Sequence, residues 1–164
     1  MAEKVTITKK ELVEFSNALT RVGSLKGSVK WAAAVDRNVR YIKDEVENLT
    51  EAGKPVEGAL EFEKARNELC ILHAEKGEDG KPKTNEDGTT YNIANPAAFA
   101  TDMEELKAKH ADVIKQQEAK NKEIEELLKE TVEIEVRKIS LSIIPDDISP
   151  AQISGLFPML NDEE

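Results

Sequence analysis

Up to Glu130 the apolar residues of this chain recur three and four positions apart, and from Thr131 they alternate with polar ones. Spacings of three and four put side chains on one face of a helix, whereas alternation puts them on one face of a strand. The change of period restricts the fold to helices that lead into a small β element. The stretch TVEIEVRKISLSII holds two alternating sets, Val132, Ile134 and Val136, then Ile139, Leu141 and Ile143. They predict a β element over 131–144, one long strand or a hairpin bulged near Arg137 and Lys138, with Tyr91–Ile93 as its candidate neighbour. A strand edge left uncovered there would be a place to bind.

The helices can be placed from their start and stop signals. Thr8 and Glu11 have the spacing of a capping box, and Leu12, Phe15, Leu19 and Val22 form one stripe before Gly23, so a first helix spans 8–23. A second stripe, Val35, Val39, Ile42, Val46 and Leu49, follows Trp31 and three alanines that would admit a close neighbour. It predicts a helical arm over 28–76, broken near 53–55 by Gly53 and Pro55. Two Asp-Gly pairs mark 77–95 as a loop, and Asn95-Pro96 opens a long helix over 96–130. Ser149-Pro150 starts a short helix over 149–160 whose Ile153, Leu156, Phe157 and Leu160 face inward. The expected architecture is mainly α with a small β element: an antiparallel long-helix hairpin capped by a short strand or hairpin and a C-terminal helix, in one domain of 164 residues.

With 34% charged and only 4% aromatic residues, the chain suits elongated helices with wide solvated faces. The net charge of −10 is unevenly spread, because residues 1–43 hold nine Lys or Arg against four acids. The simplest expectation is that the basic N-terminal part packs on the acidic remainder; head-to-tail subunits or oppositely charged partners are the others. The single cysteine, Cys70, cannot make an internal disulfide, and no run is apolar enough for a signal peptide or a membrane span, which predicts a cytosolic protein without a membrane partner.

Chemical motifs are sparse. Cys70 and His73 lie one helical turn apart and His110 lies on the facing helix, yet a zinc site needs a fourth ligand and a thiol nucleophile needs an orienting partner for its base. Packing is the expected role of all three, and no catalytic residue, metal or cofactor is assigned. The loop acids Asp79, Glu86 and Asp87 miss the EF-hand pattern, since Thr90 stands where the bidentate Glu belongs. Lys26, Lys30, Arg37 and Arg40 make a basic stripe that could meet phosphates, but with Tyr41 the only nearby aromatic outside the core stripe a solvated face or a patch that meets acidic protein is the better match. Glu123, Glu125, Glu126 and Glu130 belong to an acidic band that could imitate nucleic-acid phosphates, or simply reflect good helix formers on a solvated face. These residues, with Ile153, Leu156 and Phe157, are the candidate interaction surface.

The order of parts resembles a family of small, mostly uncharacterised helical proteins of tailed bacteriophages. The likeness is carried by GSVKWAAAVDRNVRYIKDEVENL, FEKARNELCILHAEKGEDGKP, Tyr91-x-Ile93, the long helix with Phe99 and Leu106, TVEIEVRKISL and ISPAQISGLFPML. It covers most of the chain, with TEAGKPVEG at 50–58 as an extension of the arm. The resemblance supplies no catalytic set. It implies a phage protein that works by binding, in the virion or the host bacterial cytoplasm. A structural or assembly role and homo-oligomers are expected, and a host-takeover inhibitor with an acidic, DNA-like surface is the alternative.

Overall fold

The computed structural model describes residues Ala2–Asn161. It is mainly helical with one two-stranded antiparallel sheet, as the change of period requires. The sequence is read as one domain; contacts gather the chain into two compact units, Met1–Lys54 with Glu123–Glu164, and Pro55–Lys122.

The first unit opens with a strand, β1 (Ala2–Thr8), that runs without a loop into α1 (Lys9–Val22). The junction is the expected capping box: the Thr8 hydroxyl accepts from the Glu11 amide at 3.2 Å, and the Glu11 carboxylate accepts from the Thr8 amide at 2.7 Å. The bond from the Thr8 amide, and then a second in which the Thr8 hydroxyl donates to the same carboxylate at 2.8 Å, hold the Glu11 carboxyl below its ordinary range. A carboxyl depressed in the fold stabilises it above the unfolded carboxylate pKa, and that contribution is lost as pH falls through the folded value. Thr8→Ala should lower stability by about 1 kcal/mol at neutral pH. Glu11→Gln should narrow its deficit against wild type on acidification, which paired thermal melts at neutral and acid pH would record.

The strand partner of β2 (Thr131–Arg137) is β1, from Ala2 opposite Arg137 to Thr8 opposite Thr131. This corrects the expected pairing with Tyr91 and the expected hairpin. The alternation beyond Arg137 does not continue as strand: Ile139 makes a single parallel bridge with Leu160, and Leu141–Ile143 is a 3-10 turn. One face of the ribbon, with Ile134 and Val136, is buried; the other carries Lys4, Thr6, Glu133 and Glu135.

Beneath the ribbon lie α1 and α2 (Val29–Ala52), and the core joins Leu12, Phe15 and Leu19 to Trp31, Ile42, Leu156 and Met159. Two details depart from the predicted stripe. Val39 points outward and its place is taken by Asn38, which is fully buried. Of the three alanines only Ala34 reaches the core. The last turns of α5 (Ala111–Lys129), from Glu123, complete this unit.

The C-terminal helix is shorter than the 149–160 expected. Ser149 caps α6 (Pro150–Ile153), and Gly155 then adopts φ 89°, after which Phe157–Met159 forms a 3-10 turn. Gly155 belongs there for two reasons: side chains rarely adopt that φ, and a Cβ would stand 3.1 Å from both Ala18 Cβ and the Glu14 carbonyl oxygen. The break rotates the following residues off the helical face. Leu156, Met159 and Leu160 are buried, Ile153 is half-buried, and Phe157 is turned outward with 69% of its surface exposed.

The second unit contains α3 (Ala59–His73), α4 (Pro96–Lys109) and the start of α5. The interruption after α2 is wider than 53–55, because Gly58, at φ 84°, keeps the chain out of helix until Ala59. The expected single helix over 96–130 is two, since His110 leaves helical geometry (φ −112°, ψ 19°) although no Gly or Pro marks the place. Between α3 and α4, isolated bridges pair Ala74 with Ile93, Lys76 with Pro82 and Thr84 with Tyr91. The Gln117 side chain accepts from the Val56 amide at 2.9 Å, tying the entry of this unit to α5.

Candidate functional site

Of the three residues considered for metal or thiol chemistry, the two histidines are engaged elsewhere and Cys70 lines a surface hollow. His73 Nε2 lies 2.7 Å from Asp102 Oδ2, and its ring meets Phe99 edge-on at 5.7 Å. His110 packs against Phe62, with ring centroids 5.5 Å apart. Cys70 is half-buried in the wall of an open hollow of about 540 Å³ floored by Tyr91, Ile93, Phe99 and Met103. Among the described residues no group of three or more His, Cys, Asp or Glu could hold a metal ion. Asp102 was not singled out from the sequence, although it shares the α4 face of Phe99, Met103 and Leu106, where a carboxylate needs a partner. The loop acid Asp79 is occupied locally: it accepts from the Lys81 amide at 3.1 Å.

The charged surface is arranged differently from the simplest expectation. Basic and acidic parts do meet, but at Lys4 and Lys9, which pair with Glu133 and Glu130 at 2.6 Å each. Hydrogen bonding to Glu133, and then its charge, raises the Lys4 pKa; Glu126 does the same for Lys129. The basic stripe takes no part: Lys26, Lys30, Arg37 and Arg40 are exposed, and only Arg40 has an acid within reach among the described residues, Asp36 at 2.9 Å. On the acidic side Glu123, Glu125, Glu126 and Glu130 are all exposed, with Lys129 on Glu126 and Lys9 on Glu130.

Of the three apolar candidates near the C-terminus, only Phe157 is a surface residue. Leu156 is fully buried and belongs to the core, which removes it from any contact surface.

Apolar surface is most concentrated in the second unit, which sequence reasoning did not single out. Its buried residues, among those described, are two alanines, Ala59 and Ala74. The larger apolar side chains along its helices, Phe62, Leu69, Phe99, Met103, Leu106 and Val113, are mostly covered, but none is fully buried. Two grooves flank α3. One, about 340 Å³, runs between Phe62, Val113 and Ile114 and is rimmed by Leu60; the other, about 490 Å³, runs between Ala65, Leu69 and Leu106 and is rimmed by Leu72. Leu60 and Leu72 are each 71% exposed. Spacing sets Leu60 off the face that Phe62 and Leu69 share, but it places Leu72 on that face, one turn after Leu69, so the exposure of Leu72 departs from the helical pattern.

Among the described residues no helix is long and apolar enough to cross a membrane. Comparison with protein-family models, curated proteins and solved structures finds no match for this chain, so its own residues carry the functional reading.

Proposed function

We propose that the protein works by binding other proteins, itself first, as an assembly or structural component of a tailed bacteriophage, in the virion or the host bacterial cytoplasm. The observation that carries this reading is the second unit: helices that expose Leu60 and Leu72 beside apolar grooves, and whose buried described residues are two alanines. Small folds are held by the apolar area they remove from water, and this unit leaves Leu60 and Leu72 largely in it. A second copy, laying the exposed Leu60 and Leu72 into the grooves beside α3, would cover them. Binding at such grooves needs neither metal nor cofactor.

The alternative, a host-directed protein whose acidic band imitates nucleic acid, is weakened by the lysines within 2.6 Å of Glu126, Glu130 and Glu133. A phosphate mimic requires an unbroken row of negative charge, which Lys129 and Lys9 interrupt, although each exposed carboxylate can still meet a single cation.

Mass spectrometry of purified phage particles tests the role. Many copies per particle are expected. Absence from particles, with synthesis soon after infection, would overturn the assembly reading in favour of the host-directed one.

A further inference from the structure

We infer that the basic face of α2 docks on the acidic face that α5 and Glu130 present on another copy of this chain. The inference stands on the first unit alone and is independent of the contact proposed for the second. Lys30, Ala33 and Arg37 follow one another at i, i+3 and i+7 on the outer side of α2, opposite buried Trp31, Val35 and Asn38. All three are exposed, and neither Lys30 nor Arg37 has an acid within 4.0 Å among the described residues. Glu123, Glu126 and Glu130 repeat the same i, i+3, i+7 spacing, opposite the half-buried Ile124, Leu127 and Leu128.

Seven residues of helix span about 10.5 Å, so the outer charges of the two faces are equally far apart. Laid antiparallel, Arg37 of one copy meets Glu123 of the other, which carries no lysine partner among the described residues. Lys30 then meets Glu130, whose side chain stays 60% exposed beside the Lys9 contact. Ala33 gives room for the Glu126 side chain between them. Within one copy the stripe is not used this way, because its side chains stay exposed. A basic face on one element and an acidic face on another can be exchanged reciprocally in a pair or repeated head to tail, and both arrangements answer to salt in the same way. Exposed ion pairs are individually weak and strongly screened, so this contact answers to salt in a way that an apolar one does not.

The test is molar mass by light scattering on the full chain, at about 0.05 M and about 1 M salt, where the screening length falls to about 3 Å. Wild type should show a larger mass at low salt, with association at least roughly tenfold weaker at high salt. Lys30→Glu with Arg37→Glu should abolish the low-salt increment, as should Glu123→Lys with Glu126→Lys, and an equimolar mixture of the two variants should regain it. Circular dichroism of each variant checks that the exposed substitutions leave the helices intact. The inference is overturned if wild-type mass is the same in both salts, if Lys30→Glu with Arg37→Glu leaves the increment in place, or if the mixture does not recover it. Mass retained at high salt reports the apolar contact of the second unit, so the two readings fail separately.

Discussion

Asn38→Ala should cost roughly 3 to 5 kcal/mol, the largest loss expected from a single polar substitution in this chain. Asn38 is fully buried in α2, and its carboxamide treats the end of β2 as a neighbouring strand would. Its Oδ1 accepts from the Arg137 amide at 2.6 Å, and its Nδ2 donates to the Arg137 carbonyl at 3.1 Å and approaches Met159 Sδ at 3.7 Å. The Lys9 amide donates to the Glu130 carbonyl, which fixes the phase of the ladder. In that phase Arg137 sits in a non-hydrogen-bonded pair with Ala2, so its backbone groups point away from β1. Without Asn38 both lose their partner in a part-buried setting beside the core, at about 1 to 3 kcal/mol for each. Asn38→Leu, which restores volume but no hydrogen bonds, should be nearly as damaging, whereas a simple cavity defect would be largely repaired by it. Trp31, the one tryptophan, is buried in the same core, so its fluorescence during denaturant unfolding reads the effect directly. Wild-type stability in Asn38→Leu would refute the account of this bond.

The sequence makes the helices legible wherever caps and periodicity agree. Thr8 with Glu11, Asn95 with Pro96, and Ser149 with Pro150 start helices where expected. Val132, Ile134 and Val136 lie in a strand as expected. The strand β1 was hidden because only Val5 and Ile7 alternate before the capping box, too short a pattern to stand alone. Asn38 was hidden because Val39 completes the stripe equally well on spacing; only the backbone of Arg137, 99 residues away, decides between them. The break at His110 has no local signal, and the outward turn of Phe157 follows from the left-handed Gly155 rather than from helical period. The charged candidates could be read as exposed, but whether they pair depends on which elements meet. Sequence spacing brings Lys26, Lys30, Arg37 and Arg40 together; it says nothing of Lys4 and Lys9 reaching Glu133 and Glu130. The thin core of the second unit has its trace in composition, because Pro55–Lys122 holds only four leucines and two phenylalanines.

The other large effect is expected at Leu60 and Leu72. If a second copy covers them, each buries most of a leucine side chain on association, worth about 1.5 to 3 kcal/mol. Both replaced by Glu should weaken self-association by roughly 3 to 5 kcal/mol, more than a hundredfold, because the charges must also be desolvated. The fold itself should be little changed, since each side chain is 71% exposed in the single chain. The measurement that bears most directly on binding through the second unit is light scattering of wild type and of this double variant at about 1 M salt, where charge contacts are screened. Wild type is expected above the monomer mass and Leu60→Glu with Leu72→Glu at it; a wild type that stays monomeric at every concentration, or a double variant that assembles as wild type does, would contradict the account.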